Sequence, residues 1–325
     1  MNLPGKLESF TRNQSPFGLL VLVAMGVFGL VSDNFFYIEV IKVAAIYAIF
    51  AMSWDILTGY THEVNFGCAF FIGGAGYLSG ILNSIFSFSL YLAIPLSALA
   101  AGISGIFIGY LTLRLKGPYF AMATLAFASI LFKLSFIFYE ITGGEEGISG
   151  LDVFTDDPTK DFFVAWGIMV AVYFTLMLYA QSKHGIILKA IRADEDATQS
   201  AGINTAYYKT EAFAISGFMA GIGGGVFAHS QMHIGPTMLS GHISTIIILL
   251  AIIGGMGTIV GPLLGAICLT IINEYLRVVE EYRIVLYTGI LILLIYLIPE
   301  GLLNLKFIKK SKMLSFLFLG DRKPT

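Results

Sequence analysis

Long apolar stretches follow one another along most of this 325-residue chain and leave it very few possible architectures. Several of them approach the roughly 20 residues that a helix needs to cross a lipid bilayer. Hydrophobic residues make up 57% of the sequence and charged residues only 12%, about half the charged share of a soluble domain. Because a bilayer offers no water to backbone N–H and C=O groups, a chain of this kind crosses it as helices. The sequence therefore predicts an all-α polytopic membrane protein.

Ten apolar stretches are candidates for transmembrane spans. They are residues 16–31, 37–58, 66–86, 90–113, 118–138, 162–180, 210–228, 241–257, 261–276 and 284–298. Several are short or interrupted by glycine, so a re-entrant segment remains an alternative for one of them. We expect a single transmembrane domain over residues 16–305, between a polar N-terminus (1–15) and a basic tail (306–325).

The distribution of charge predicts the orientation of these spans. With the N-terminus inside, the inside segments carry 14 of the 19 Lys and Arg residues, and such an excess marks the cytoplasmic side. The long loop over residues 139–161 carries seven acids against Lys160 alone. We therefore predict that both termini are cytoplasmic, that loop 139–161 is external, and that the tail lies at the membrane surface. Met1–Ser15 is polar, and we expect no cleavable signal peptide.

Motifs of several enzyme and cofactor classes are missing from the sequence. It has no GxxxxGK[ST] loop for ATP, no HExxH or CxxC, and no GxSxG. His229 and His233 are four residues apart, but they fall at a helix end and a loop, which disfavours metal ligation. Cys68 and Cys268 lie in apolar stretches, and we interpret them as packing residues without a disulfide. We expect no catalytic residue, no cofactor, no metal and no nucleic-acid partner.

The longest polar interval on the cytoplasmic side, Ser182–Lys209, has the pattern of short helices rather than of a plain connector. Asp194 is placed to cap a helix whose first turn contains Glu195 and Asp196, where the helix dipole favours carboxylates. Gly202 stands where a left-handed residue is required to end that helix. From the residues alone, a docking surface for a cytoplasmic partner and a solvated connector are equally open interpretations.

Glycines cluster in the third and seventh spans and across the junction of the eighth and ninth. Small residues at these spacings let helix backbones approach closely, and tight packing is the first interpretation. The alternative is that broken, glycine-rich helices line a translocation path. On that alternative, we predict that Asn65, Gly73, Gly74 and Gly76 line the path.

Four charged residues lie inside apolar stretches: Glu39, Lys42, Asp55 and Lys133. Charges in lipid are costly, so each is a functional candidate. Glu39 and Lys42 are three residues apart, and we expect them to neutralise each other near the outer interface. Asp55 lies close to the inner end of its span. An ion-driven transporter normally needs acids near the middle of the membrane, and the sequence offers none that is convincing.

Four stretches taken together carry a resemblance to a known family. They are Leu57–Leu82, Leu113–Leu131 with Ile141–Leu151, Lys189–Ala228, and Ile252–Ala266 with Ile298–Leu303. In these stretches, which span most of its length, the chain resembles the permease subunits of ATP-binding-cassette importers for branched-chain amino acids, in particular the LivM-like branch.

The resemblance implies that the interval Ser182–Lys209 contains the helix that docks on an ATPase subunit. The implied coupling residues are Arg192, Asp194, Glu195, Asp196, Ala197 and Gly202. The related loop of importer permeases reads Glu-Ala-Ala, three residues and then Gly. The run from Asp196 to Gly202 keeps that spacing, with Asp for Glu and Thr for the second Ala, but lacks the later Ile-x-Leu-Pro part.

The resemblance also implies a set of partners in the bacterial inner membrane. They are a second, homologous permease in a heterodimer, two cytoplasmic ATP-binding subunits and an external substrate-binding protein, with lipid around the spans. The chain itself is then not an enzyme. The expected function is import of a branched-chain or other apolar amino acid by alternating access. Import of urea or short amides is the first alternative, and ion-coupled secondary transport is the second.

Overall fold

The computed structural model describes residues 15–32, 34–115, 117–277, 282–297 and 301–304. Within them the chain forms thirteen α-helices. They are α1 (Ser15–Val31), α2 (Phe35–Thr61), α3 (Cys68–Ser84), α4 (Leu90–Thr112), α5 (Pro118–Ile137), α6 (Tyr139–Thr142), α7 (Pro158–Gln181), α8 (Lys183–Ala193), α9 (Glu195–Ser200), α10 (Thr205–Ser230), α11 (Gly241–Gly254), α12 (Val260–Tyr275) and α13 (Arg283–Leu297). A short 3-10 turn lies between α10 and α11 at Pro236–Leu239, and another follows α13 at Leu302–Asn304. The predictions for the N-terminus and for the basic tail 306–325 fall outside the described residues, except at Ser15.

Ten of these helices coincide with the ten apolar stretches of the sequence: α1 to α5, α7 and α10 to α13. Five of the ten, α2, α4, α5, α7 and α10, are long and apolar enough to cross a membrane. The helices α1, α11 and α12 are shorter but also apolar. A nearly all-α membrane protein is therefore confirmed, whereas ten crossings and two cytoplasmic termini remain predictions. The predicted external face is called outer below, and the predicted cytoplasmic face inner.

Helix α10 lies at the centre of the bundle, against α2, α3 and α4. Its glycines allow this arrangement, because side chains there would collide with neighbouring helices. A Cβ at Gly221 would lie 2.9 Å from the Cα of Ala98, and one at Gly223 would lie 2.8 Å from the ring of Phe50. Close packing of helix backbones, the first interpretation of the glycine clusters, is confirmed at these positions.

Helices α11 and α12 form a hairpin whose helical structure is interrupted between residues 255 and 259. The two backbones touch next to this break. A Cβ at Gly265 would overlap the carbonyl oxygen of Leu250, and one at Gly254 would overlap that of Gly261. The glycine repeat in this part of the sequence is therefore explained by the close approach of two backbones.

Two helix faces are turned away from the bundle. In α5 only four of the 20 residues are buried, and Lys133 is exposed on it rather than held inside the protein. Cys68 and Cys268 are both unpaired, as predicted, but only Cys68 is buried. Cys268 is exposed on α12, so its interpretation as a packing residue was wrong.

The outer loop is folded and shorter than the sequence indicated. Strand β1 (Ile148–Ser149) pairs antiparallel with strand β2 (His233–Ile234) beyond the end of α10. The all-α prediction missed this pair, because two-residue strands carry no periodic pattern. Helix α7 begins at Pro158 with Asp157 as its N-cap. Asp161, assigned to the loop in the sequence, is therefore a buried residue of a transmembrane helix.

The two histidines that are four residues apart make separate polar contacts. His229 is fully buried; its Nδ1 lies 2.8 Å from the carbonyl oxygen of Asp152, and its Nε2 lies 3.0 Å from Ser79 Oγ. The Nδ1 of His233 lies 3.1 Å from Ser149 Oγ. The ring of His229 therefore fastens the outer loop to α3, and the ring of His233 joins the two strands to each other.

Candidate functional site

The interval Ser182–Lys209 folds into the two short helices α8 and α9 before α10 begins. Helix α8 buries Gly185, Leu188 and Ile191. A Cβ at Gly185 would overlap the carbonyl oxygen of Ala180, so only glycine fits where the chain leaves α7. The packed face of α8 holds it on the bundle, and α9 follows it directly.

Both ends of α9 are capped by the residues that the sequence indicated. Asp194 Oδ1 accepts a hydrogen bond of 2.9 Å from the N–H of Ala197. Gly202 has a φ of +84°, and its N–H donates to the carbonyl oxygen of Gln199 at 2.9 Å. These contacts confirm the predicted N-cap and the predicted left-handed C-terminal glycine.

A buried lysine ties α9 to the rest of the protein. Lys209 Nζ lies 2.8 Å from Glu63 Oε1 and 2.7 Å from Glu195 Oε2. The hydroxyl of Thr205 donates to Glu195 Oε1 at 3.1 Å. This inner lysine cluster (Lys209, Glu63, Glu195 and Thr205) joins α9 to the start of α10 and to the loop between α2 and α3.

Arg192, two residues before the N-cap of α9, reaches back to the inner end of α2. Its Nη1 donates to the carbonyl oxygen of Gly59. One turn earlier on α2, Asp55 is fully buried. Its carboxylate accepts hydrogen bonds from three successive backbone N–H groups, residues 257–259, at 2.7, 3.2 and 3.2 Å. Asp55 therefore caps the break before α12 and is not a charge left in lipid.

A second cation of α8 lies near this contact. Lys189 Nζ is 5.0 Å from the centroid of the Tyr60 ring, a cation–π arrangement. Burial lowers the pKa of Lys189 below its usual value, and the positive charge of Arg192 lowers the pKa further. The inner end of α2 is thus covered by two basic side chains from the same short helix.

The six residues implied in ATPase coupling divide into two groups. Arg192 and Glu195 turn inward and contact the bundle through the hydrogen bonds given above. The other four, Asp194, Asp196, Ala197 and Gly202, are exposed, and Arg192 is also exposed in part although it contacts the bundle. The surface that α9 offers to a partner is therefore smaller than the six-residue set.

The four residues predicted to line a path do not share one surface. Asn65 is 1% exposed, and its side chain caps the turn before α3 through a 2.8 Å hydrogen bond. A Cβ at Gly73 or at Gly76 would lie within 2.7 to 2.9 Å of the segment 234–239. Gly74, unlike the other three, borders an apolar cavity between α3, α4 and α5.

Two cavities differ sharply in their lining. The cavity beside Gly74 has a volume of about 410 Å³, lies between α3, α4 and α5, and is almost wholly apolar. A larger cavity of about 920 Å³ lies toward the outer ends of α2, α10, α11, α12 and α13. Its polar lining consists of Tyr47, Gln231, His242, Thr245, Thr270, Asn273, Glu274 and Thr288. This outer cavity has the size and mixed character of a small-molecule site.

Residues 36–296 match the family described as "Branched-chain amino acid transport system / permease component". The chain belongs to this family. The high-affinity branched-chain amino acid transport system permease protein LivM of Escherichia coli K12 is 28% identical over 295 residues, which cover 82% of this chain and 69% of the relative. The probable LivM of Methanocaldococcus jannaschii is 22% identical over 72% of this chain and 75% of its own. The ribose import permease protein RbsC of Haemophilus influenzae is 24% identical over 83% of this chain and 86% of its own. No solved structure matches the chain significantly.

The permease is thus the membrane component of an ATP-binding-cassette importer and a multi-pass protein of the bacterial inner membrane.

Its outer cavity escaped the sequence interpretation because five helices contribute to it, each with few polar residues. One signal was present. Thr270, Asn273 and Glu274 recur at the spacing of one helix face within an apolar stretch, and so do His242 and Thr245.

Proposed function

We propose that the permease imports a branched-chain amino acid or another small apolar amino acid. The family description and the names of the LivM relatives support this substrate class. The chain works in a heterodimer with a second, homologous permease. An external binding protein delivers the substrate, and two cytoplasmic subunits hydrolyse ATP.

A sugar is the second candidate substrate, because a ribose permease matches over most of both chains. Urea and short amides are a third candidate, which rests on the sequence resemblance alone. Ion-coupled transport is set aside, since the family is one of ATP-driven permeases.

The observation that carries the coupling role is the ordered state of α9. Its six residues are too few to form a stable helix alone. They are nevertheless capped at both ends and tied to α10 through Glu195, while Asp196 and Ala197 face outward. A mere connector needs none of these contacts. We assign α9 as the helix that docks on an ATPase subunit, so that closure of the ATPase pair moves the spans.

The outer cavity is our candidate for the substrate's place on the route. Apolar residues such as Ile246 and Leu250 form its walls, and His242 and Glu274 belong to its polar lining. An aliphatic zwitterion needs both kinds of surface. Its charged ends lose hydrogen bonds to water on burial and need polar groups in exchange, whereas its side chain packs against apolar walls. The cavity beside Gly74 lacks the polar lining and fits an apolar group better.

Substitutions in the two cavities distinguish these routes. A Glu274→Gln variant loses about tenfold or more in apparent substrate affinity, since a hydrogen bond to a charged group contributes about 1.5–3 kcal/mol. Gly74→Leu, which fills the other cavity, leaves uptake kinetics unchanged on this proposal. Uptake curves for both variants in assembled complexes make the measurement. Loss of uptake in Gly74→Leu alone would move the route to the third span.

The substrate class is tested with the complete complex in proteoliposomes loaded with ATP. Radiolabelled leucine, ribose and urea are supplied separately, each with the complex's own binding protein. We expect ATP-dependent uptake of leucine. Uptake of ribose or urea without leucine would replace the proposed substrate while leaving the importer role in place.

Docking is tested at Gly202, whose left-handed backbone has open space around it. A Gly202→Val change costs about 1 kcal/mol or more in that conformation and misdirects the chain after α9. We expect ATPase subunits to co-purify poorly with this variant. Gly202→Asn, which tolerates the left-handed region better, retains them. Gly150→Val is the matched control, since Gly150 also has positive φ and open space, but in the outer loop. Normal ATPase retention and normal uptake in Gly202→Val would refute the docking role.

A further inference from the structure

The break between α11 and α12 is built as a strained turn rather than a loose loop. Gly255 and Gly257 have φ angles of +117° and +79°. Ile259 has a φ of +57°, and a β-branched residue adopts a positive φ only at a cost. The hydroxyl of Thr258 donates to the carbonyl oxygen of Gly255 at 2.7 Å and accepts from the N–H of Gly261 at 2.9 Å. Strain of this kind persists only where the surroundings impose it.

The surroundings come from a different helix. Asp55, on α2, supplies the acceptor for all three N–H groups of residues 257–259. A carboxylate at this place also complements the positive end of the α12 dipole. The break therefore keeps its shape only while the inner end of α2 keeps its position.

Arg192 lies at the same point from the cytoplasmic side. Its guanidinium donates to Gly59, one turn beyond Asp55. It also lies against Gly257, where an added Cβ would overlap Arg192 Nη1. Asp194, the N-cap of α9, lies two residues after Arg192. A displacement of α9 therefore pulls on the contacts of Arg192 with Gly59 and Gly257.

We propose that Arg192 is a positioning residue that carries movement of α9 to the break between α11 and α12, through Gly59 and the Asp55 cap. The inference rests on the docking role proposed for α9 and gives Arg192 a task different from docking. On this assignment Arg192 does not touch the ATPase. It makes the strained turn change its conformation when the ATPases move α9, and α12, which lines the outer cavity, moves with it.

The test separates docking from transmission by measuring both in one complex. An Arg192→Ala variant is reconstituted with the ATPase subunits and the binding protein. We expect normal retention of the ATPases and continued ATP hydrolysis, with uptake per ATP lowered on the order of tenfold, a usual size for coupling between sites. Arg114→Ala is the matched control, because Arg114 is a cytoplasmic arginine that contacts Tyr110 on its own segment.

A labelling experiment reports on the conformation of the break between α11 and α12. If Arg192 only stabilised the fold, removing it would not abolish a nucleotide-dependent change at the break. Met256→Cys, in a background with Cys68 and Cys268 replaced by serine, is labelled with maleimide in ADP and in a non-hydrolysable ATP analogue. We expect the labelling rate to depend on the nucleotide, and Arg192→Ala to remove that dependence.

Each remaining outcome is decisive. Unchanged uptake per ATP, or an unchanged nucleotide dependence at position 256, would overturn the transmission role. Loss of ATPase retention in Arg192→Ala would make Arg192 a docking residue. That result would also overturn the transmission role, but it would leave the docking role of α9 intact. Failure of docking itself is reported separately by Gly202→Val, so the two proposals do not fail together.

Discussion

Among the residues that the structure describes, the permease buries two lysines, one toward each predicted membrane face, and surrounds them differently. At the outer end Lys42 Nζ lies 2.6 Å from Glu39 Oε2 and 2.8 Å from Asp161 Oδ2. Ser230 donates to the same oxygen of Asp161 at 3.0 Å, and Gln231 donates to Glu39 at 3.0 Å. This outer lysine cluster (Lys42, Glu39, Asp161, Ser230 and Gln231) joins α2, α7 and the outer end of α10.

The inner lysine cluster has the same ratio of one lysine to two acids, but its acids differ in exposure and lie on different kinds of element. The side chains of Glu63 and Glu195 are 13% and 29% exposed, whereas in the outer cluster Asp161 is 8% exposed and Glu39 is 46% exposed. The inner partners also lie on a loop and on the short helix α9 rather than on neighbouring spans. The outer cluster therefore joins two spans through a deeply buried carboxylate, whereas both acids of the inner cluster are partly exposed and one of them holds the short helix α9.

Membrane topology is the first way to break this comparison, because it requires the clusters to face opposite sides. Single cysteines replace Asp156 and Ser200 in a background without Cys68 and Cys268. We expect an impermeant maleimide to label each from one side only, and the two from opposite sides, as the charge distribution predicts. Labelling of both from the same side would refute the ten-span topology.

Loss of the outer cation gives the largest expected change in stability. Lys42→Met leaves the carboxylate of Asp161 buried without a cation. Breaking a buried pair in this way costs about 3–5 kcal/mol. We expect a large fall in the thermal unfolding midpoint of the purified permease in detergent.

Two further variants sharpen that result. Lys160→Met removes a lysine that is 73% exposed and 3.6 Å from Asp157, and a pair of this kind contributes about 0–1 kcal/mol. The double variant Lys42→Met/Asp161→Asn removes the stranded charge and recovers a large part of the lost stability. Equal effects of Lys42→Met and Lys160→Met would show that the outer cluster does not fix the bundle.

The outer cluster also shows what the sequence could and could not predict. Glu39 and Lys42 are three residues apart, and their pairing was predicted from helix geometry and is confirmed. Asp161 lies 119 residues from Lys42, and it was assigned to a loop because the next apolar stretch was taken to begin at residue 162. Local spacing predicts local pairs, but a pair formed by packing distant helices leaves no periodic signal.

The same limit applied at the inner face. The caps of α9 at Asp194 and Gly202 depend on residues within one or two turns, and both were predicted. The acceptor role of Asp55 toward residues 257–259 depends on a contact across about 200 residues of sequence. The contact of Arg192 with Gly59 is also distant in sequence, and the family resemblance had grouped Arg192 with the docking residues.

Loss of the inner cation has a smaller expected effect on stability and a selective effect on coupling. Lys209→Met leaves Glu63 and Glu195 unpaired, with side chains 13% and 29% exposed. Because water reaches these carboxylates, we expect a cost of about 1–2 kcal/mol, below that of Lys42→Met. The weakened contact frees α9, so ATPase retention falls about fivefold, the change that about 1 kcal/mol makes in an equilibrium constant.

The two acids of the inner cluster separate stability from coupling. Glu195→Gln weakens the contact on α9, whereas Glu63→Gln weakens only the contact to the loop between α2 and α3. If the cluster serves to hold the docking helix, Glu195→Gln lowers ATPase co-purification as Lys209→Met does, while Glu63→Gln lowers the unfolding midpoint without changing co-purification. Equal loss of ATPase in both glutamine variants would mean that the cluster stabilises the inner face as a whole. A loss of stability in Lys209→Met as large as that in Lys42→Met would remove the distinction between the two clusters.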